Sequence, residues 1–557
     1  MYCQLISIQS FQLLIKIPSN FSLMSHQVPN LNSSQARISA LIAGILFLLA
    51  YWYFGYDGIT FSDDVYYLLA GQKFWEGTME VNDYHFSSRW GAYVPSGLIG
   101  YLIGFDAHRI SLISLLSYVA TLLLLVKILP KSLPAWVLVL WFCTQVYFLH
   151  FLTKVYPDSL LVLWTCLVPI ASVYRKNKPI LAGIVLVVAL FAGFLTKETI
   201  VLLAPFPVLL FYFDWKRKDV TYSFYLAILA TGILLSAAYL SYFWIKFGDP
   251  LHRVSSINAG HYISEFTYAD KSLWSMVRRL TILPIITFVE RSYWAWIVFA
   301  LPGIALGLKS RKTPAFEFSL AFLCLLIGFW FMTSTLDFYN PIYLNPRHLI
   351  ILVPLLCLLI ALGWKKWQTS IRARLWMMGL LSLGAAFSLV QLDWKMAGFQ
   401  LALVGAVYAY RFKFQAIIIA AILLAPALLA VPYQKNLKQY SSMIETLSSE
   451  SQSTNNQSFL LTNNFLEFSE QVLFPEDKIT QEKLHGLDSL LTWENAKTDT
   501  VKLLLYTYYQ HAYPQEQEEI DAVLSKLKEL GYVLSEEKNE GVIWKQIYVK
   551  STIPEIN

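Results

Sequence analysis

Apolar residues in this chain are gathered into long uncharged runs, not dotted at the spacing of one helix face or one strand face. Thirteen such windows fall near 38–56, 110–126, 133–152, 159–174, 180–196, 199–213, 222–245, 293–308, 318–336, 349–363, 375–390, 396–410 and 414–432. Runs of this kind, near the roughly 20 residues that carry a helix across a bilayer, predict an all-α polytopic membrane protein with about 13 transmembrane helices. The weakest windows, 199–213 and 396–410, are retained because removing either would strand neighbouring basic loops on the wrong side. After Pro432 the pattern turns polar, with a Ser/Asn/Gln linker at 448–458. Phe459 to Thr462 and Val501 to Tyr506 read as buried strands. Residues 515–530 read as a helix ended by Gly531, and Tyr532 to Leu534 with Val542 to Val549 as a closing hairpin. The expected organisation is an N-terminal cytoplasmic segment at 1–37, a transmembrane catalytic domain at 38–432 and a small soluble α/β domain at 433–557.

Composition agrees with the pattern. The 557 residues are 56% hydrophobic and 14% charged, where soluble domains carry roughly 25% charged residues. The net charge of +6 is the sum of about −8 in 433–557 and +14 in the rest. The positive excess follows alternate loops: Lys127 and Lys131, Arg175 to Lys178, Lys216 to Lys218, Lys309 to Lys312, Lys365 to Arg374, and Arg411 with Lys413. That is the positive-inside pattern of a cytoplasmic N-terminus, so orientation accounts for the charge and nucleic acid is not implied. The opposite loops and the C-terminal domain then face outward. Cys143, Cys166, Cys324 and Cys357 lie in apolar runs and Cys3 near the start, which is neither a disulfide framework nor a metal spacing. The stretch Leu5 to Ile17 is too short to span, Met24 offers a second start, and no cleavable signal peptide is evident, so the first span is expected to serve as the insertion signal.

Two outer loops are long enough to build a site, 57–107 and 247–292. The first ends in the short apolar stretch Pro95 to Gly104, and the second holds an amphipathic segment from Leu273 to Phe288. Both are expected to lie in the interface or to re-enter. The first loop opens with Phe61-Ser-Asp63-Asp64-Val-Tyr66-Tyr67, two adjacent carboxylates in aromatic surroundings where burial raises basicity. On the same side, Asp158 begins a span, Lys197-Glu198 sits between two, and Arg347-His348 begins another. Charges at membrane depth are functional candidates by default, since insertion costs roughly 2.5–3.5 kcal/mol each. Plainer readings stand beside these: Asp158 as a helix cap, Lys197 pairing with Glu198 in a turn, Arg347 marking a span end, and His85 and Arg89 as solvated loop residues. Carboxylates and fixed cations on an apolar outer face suit a phosphate-bearing lipid, with the cations gripping the phosphate and a carboxylate taking a proton from the incoming group.

The order of these features, with Tyr-Pro-Asp158-Ser-Leu-Leu, Gly193-Phe-Leu-Thr-Lys197-Glu and Pro346-Arg347-His348-Leu, resembles the polyprenyl-phosphate-sugar-dependent glycosyltransferases of the GT-C fold. Within them it is most similar to the bacterial relatives of protein O-mannosyltransferases and of the lipid A aminoarabinose transferase. The resemblance covers roughly 38–432. It implies a polyprenyl-phosphate-linked sugar as donor, membrane lipid as surroundings, and hexosyl or pentosyl transfer to a lipid, glycan or protein acceptor on the outer face of a bacterial inner membrane. It implies Asp63 as catalytic base or acceptor-orienting carboxylate, Asp158 as the second acid, Lys197 near the lipid phosphate and Arg347 as the arginine of the Pro-Arg motif. The reading of the residues themselves adds Asp64 to the catalytic set, and His348, Arg89, His85 and Tyr67 to the substrate- and phosphate-binding set. No cofactor is certain, though some relatives use a divalent metal, for which Asp63, Asp64 and Asp158 are the available ligands. Departures from the family pattern, Asp-Asp at 63–64, Glu198 after Lys197 and Val94 before Pro95, bear on the acceptor more than on the reaction. The rival readings are a transporter or flippase of lipid-linked sugars, which predicts inverted repeats, and a non-catalytic scaffold.

Overall fold

A computed structural model describes residues 33–261, 267–310, 313–333, 338–453, 458–475, 484–491 and 498–551. Cys3, the Leu5 to Ile17 stretch, Met24, Arg311 and Lys312 lie outside the described residues.

The described parts of the apolar windows fall largely on helix, because a chain with no water around it has to satisfy its amides internally. Among the described residues seven helices are long and apolar enough to cross a membrane, or nine if each of two bent pairs forms one span, so the length test does not reproduce thirteen spans. The difference has a physical source: several windows are broken or short. The window at 133–152 is the pair Ala135–Phe142 and Val146–Leu152, bent by 72°, with Gln145 accepting from the Phe148 amide at 2.6 Å to start the second piece. Trp294–Lys309 joins Leu283–Glu290 at 107°. Pro157–Val173 and Ala315–Phe331 are shorter apolar helices. The integral membrane character follows from the long apolar helices. Tyr222–Phe247, for example, shows Leu226, Ile233, Leu234 and Ile245 to its surroundings. On the basic-loop side, Arg175 is buried between Asp214, at 2.9 and 3.2 Å, and Glu317 at 2.6 Å.

The first outer loop forms helices Asp63–Trp75 and Trp90–Ile103. They cross at Gly71 and Gly97, where a Cβ on Gly97 would lie 2.3 Å from the Gly71 carbonyl oxygen, so only glycine lets the two backbones meet. Tyr101, Leu102 and Ile103 at the end of the second helix are exposed, consistent with a helix lying at an apolar boundary.

The C-terminal residues form a five-stranded sheet: β1 (Ser458–Thr462), β2 (Leu484–Gly486), β3 (Thr500–Tyr506), β4 (Tyr532–Glu540) and β5 (Ile543–Lys550), in the order β2-β1-β3-β5-β4. β1 is parallel to β2 and β3, while β5 runs antiparallel to β3 and β4. Side chains alternate between faces along a strand. Leu461, Val501, Leu503 and Leu505 therefore meet Ile520, Val523 and Leu527 of the helix Glu516–Glu529 on one face. Leu460, Leu504 and Tyr506 point the other way, into a core shared with Ile59, Phe61, Val65 and Tyr67 of the first outer loop. Burial on both faces explains why β1 and β3 read as continuous apolar runs. It also fixes the soluble domain over the loop that carries the acidic pair.

Candidate active site

Phe61 precedes the acidic pair with φ of 54°, an uncommon conformation for an aromatic residue. Its ring is buried among Tyr440, Phe465, Tyr506 and Tyr509, with centroids 5.3 to 6.2 Å apart. The Tyr509 hydroxyl donates to the Ile59 carbonyl at 3.1 Å and that of Tyr513 to the Phe61 carbonyl. With the backbone held this way, the two acids separate. Asp64 turns inward, 1% exposed, and accepts from the amides of Thr60, Ser62 and Val65 at 2.6, 3.0 and 3.1 Å. Asp63 faces out, partly exposed, with Oδ2 2.9 Å from Arg347. Burial raises its carboxyl's pKa, but Arg347 first, then Lys197 and Arg89, overcome this and hold it below the usual carboxylate range.

The other candidates converge on this point from distant parts of the chain. Lys197, in extended backbone just after the helix Pro179–Thr196, donates to both oxygens of the fully buried Asp158 at 2.8 and 2.7 Å. Asp158 therefore does not cap its helix, and Lys197 does not pair with Glu198. Glu198 is instead clamped by two guanidiniums. Arg89 reaches it at 3.1 and 2.7 Å, and Arg253 at 3.1 and 2.5 Å. Arg89 also donates to the Tyr67 hydroxyl at 2.5 Å and lies 4.1 Å over the Phe86 ring. The solvated-loop reading of Arg89 and His85 is thus overturned, since both are buried beneath the turn His85–Ser88. Arg347 stands in the first turn of Pro346–Leu349, whose amide is capped by Asn345 at 3.1 Å. The neighbouring His348 is held well below the ordinary imidazole range by burial and then by Lys197 and Arg347.

The cluster holds four cations, Arg89, Lys197, Arg253 and Arg347, against three carboxylates, Asp63, Asp158 and Glu198. Two guanidinium nitrogens, Arg253 Nη1 and Arg347 Nε, are buried without a hydrogen-bond partner among the described residues. Buried donors are normally satisfied, so Arg347 Nε is left for an acceptor, as is Arg253 Nη1 beyond the neighbouring Tyr239 hydroxyl. Below Arg253 runs an apolar groove between Pro179–Thr196 and Tyr222–Phe247, in two adjoining hollows of about 250 and 220 Å³ that share Phe191 and Phe194. Arg253 was not singled out by sequence reasoning, and Glu198 only as a partner of Lys197. Arg253 interrupts no apolar run, and the one signal for it was that it lies in a long outer loop. Among the described residues no three His, Cys, Asp or Glu side chains gather to hold a metal, and Asp63, Asp64 and Asp158 are engaged by Arg347, backbone amides and Lys197 respectively.

No family model and no curated protein matches this sequence. Its structure is nonetheless similar to that of ArnT from Cupriavidus metallidurans, both bound to undecaprenyl phosphate (TM-score 0.57) and in the apo state (0.58), at 11% identity. The two matches cover 91% and 93% of this chain and 98% of the ArnT chain. The fold is GT-C. An archaeal oligosaccharyltransferase, AglB from Archaeoglobus fulgidus, is more remote, with a TM-score of 0.44 over 93% of this chain and 74% of its own, again at 11% identity.

Proposed function

We propose that this chain is a membrane glycosyltransferase that moves a sugar from a polyprenyl-phosphate donor to a cell-envelope acceptor on the outer face of a bacterial inner membrane. The observation that carries the reading is the buried cation excess, in which Arg253, with an unsatisfied Nη1, stands at the head of an apolar groove between lipid-facing helices and shares Glu198 with Arg89. A phosphate on a long isoprenoid chain supplies the missing acceptors and the missing negative charge together, and its tail suits the groove. That ArnT, of the same fold, was solved with undecaprenyl phosphate supports this choice of ligand.

The mechanism is a single displacement. The acceptor oxygen or nitrogen attacks the anomeric carbon as the bond to the phosphate oxygen breaks. The acceptor proton passes to Asp63, and polyprenyl phosphate departs with the bonding electron pair, held by Arg253, Lys197 and Arg347. Arg347 links the two substrates: a donor phosphate drawing on its charge weakens its hold on Asp63, which becomes more basic when the donor is in place. Asp158 orients Lys197, Glu198 orients Arg89 and Arg253, and Asp64 fixes the turn that presents Asp63.

The test compares wild type with Asp63→Asn in lipid, offered a panel of polyprenyl-phosphate sugars with envelope extracts, reading free polyprenyl phosphate. The substitution is isosteric and its site half-open, so folding is retained while release is expected to fall ~10²- to 10⁴-fold. A product with retained anomeric configuration would sink the single displacement. Consumption of no donor by wild type, with passage of lipid-linked sugar across reconstituted vesicles, would replace the transferase by a transporter.

A further inference from the structure

Asp63 also opens into a second space, a cleft of about 510 Å³ between the first outer loop and the C-terminal domain. Asp63, Tyr66 and Tyr84 stand on one wall and Phe468, Tyr513 and Glu519 on the other. It shares no lining residue with the apolar groove, so a second molecule reaches the reacting centre by its own route. Its volume lies within the roughly 300–1,000 Å³ of ligand sites.

The chemistry of this lining is one-sided. Glu519 and the largely buried Glu516 contribute carboxylates beside Asp63, whose own charge is balanced by Arg347 at 2.9 Å, and no lysine, arginine or histidine lines the cleft itself among the described residues. Glu516 and Glu519 are held in place by the Asn463 and Asn464 side-chain amides, each at 2.7 Å. Phe468 is 57% exposed, a large ring left in water at the mouth of a cleft and not covered by its own domain. Tyr66 and Tyr84, 5.0 Å apart edge to face, oppose it. Aromatic faces meet the C–H faces of sugar rings, and carboxylates accept from hydroxyl and ammonium groups. The same carboxylates repel a phosphate, in a confined space where charge acts more strongly than in water.

Building on the transferase reading, we infer that this cleft is the acceptor site, and that the acceptor is a saccharide without net negative charge, neutral or amine-bearing. Its hydroxyl or amino group is brought to Asp63 by aromatic and carboxylate contacts from the C-terminal domain. The proton it loses goes to Asp63, the new bond forms at the anomeric carbon, and polyprenyl phosphate is the leaving group. The departing lipid and the incoming saccharide are thus sorted by charge: the cation cluster takes the phosphate and the acidic cleft takes the glycan.

The experiment uses the full chain in lipid nanodiscs and measures binding of three probes: an N-acetylglucosamine trimer, the corresponding glucosamine trimer, and a bisphosphorylated glucosamine disaccharide. Undecaprenyl phosphate binding is read in the same preparations. The two trimers are expected to bind, and the bisphosphorylated sugar about tenfold or more weakly than either. Phe468→Ala is expected to weaken both trimers about tenfold, and Glu519→Lys to weaken the glucosamine trimer while strengthening the phosphorylated disaccharide. Phe468 is exposed and Glu519 half-buried on the far wall of the cleft, away from the cation cluster, so both variants are expected to keep undecaprenyl phosphate binding, which also reports that they are folded. Equal or tighter binding of the phosphorylated sugar to wild type, trimers that do not bind, or trimer binding indifferent to both substitutions overturns the inference. Failure of wild type to bind undecaprenyl phosphate would instead overturn the transferase reading on which it rests.

Discussion

Arg347 sits between two anions, the Asp63 carboxylate at 2.9 Å and the place proposed for the donor phosphate. Because Asp63 is held below the ordinary carboxylate range, the base stays ionised as pH falls. The acid limb of kcat/KM is therefore expected below pH ~4, the ordinary aspartate value. Arg347→Gln removes the largest charge holding the proton off, so besides lowering the rate it should move that limb upward. A pH profile of donor consumption checks this, and an unmoved limb would mean that another group titrates. The Lys197–Asp158 pair makes a different prediction, because both partners are buried. Lys197→Met leaves an uncompensated carboxylate and is expected to cost ~3–5 kcal/mol. Adding Asp158→Asn should restore the melting temperature without restoring release of polyprenyl phosphate, which separates the stabilising role of the pair from its part in the reaction. Lys197 and Arg347 were visible in the sequence because a charge stands out in apolar surroundings. The arginine clamp on Glu198 was not, because Arg89 and Glu198 are 109 residues apart and Arg253 and Glu198 are 55 apart.

At the scale of elements, the turn at Phe61 decides which of two adjacent acids faces the cation cluster. The ring locks into the C-terminal domain, so Asp63 is presented by contacts made some 380 to 450 residues away in the chain. Phe61→Ala empties that socket. Phe→Ala in a core costs ~3–5 kcal/mol, and the loss is expected to appear as faster hydrogen exchange in Ile59–Val65 and Tyr506–Tyr509, with the membrane helices unchanged. Exchange confined to other regions would show that Phe61 does not couple loop to domain. Helix breaks illustrate the same limit from another side. A run of apolar residues reports the length of greasy chain but not its axis, so the window at 133–152 reads as one span although Gln145 starts a new helix within it. The elements of the soluble domain were easier, since alternation, Gly531 with φ of 79° after the helix Glu516–Glu529, and a polar hairpin are local signals.

Across the whole molecule, the membrane part and the C-terminal domain are joined by the Phe61 socket and by a buried ionic knot. Asp57 meets Lys438 at 2.9 Å and also Lys154, with His150 at 3.7 Å. Burial opposes ionisation of Asp57, but Lys154, His150 and Lys438 together hold its carboxyl far below the usual range, while burial pulls Lys154 down to about 8. Asp57→Asn strands two buried lysines and is expected to lower stability by ~3–5 kcal/mol in thermal melts. The sign of the pH dependence follows from the depressed carboxyl: its contribution is complete above the unfolded value near ~4 and drains away as pH falls toward the folded one, so the wild type should lose stability in acid more steeply than Asp57→Asn. A difference that instead grew in acid would show that the knot does not stabilise the fold. The sequence by itself determined the membrane-embedded apolar helices, the small C-terminal α/β domain and the cations at 197 and 347. Each of these rests on local composition and on the cost of charge in apolar surroundings. Only the tertiary structure decided that Asp64 serves its own loop, that Arg89 and Arg253 share Glu198, and that the C-terminal domain closes an acidic, aromatic cleft over Asp63. Those outcomes depend on which distant groups are buried together, and no neighbourhood along the chain records that.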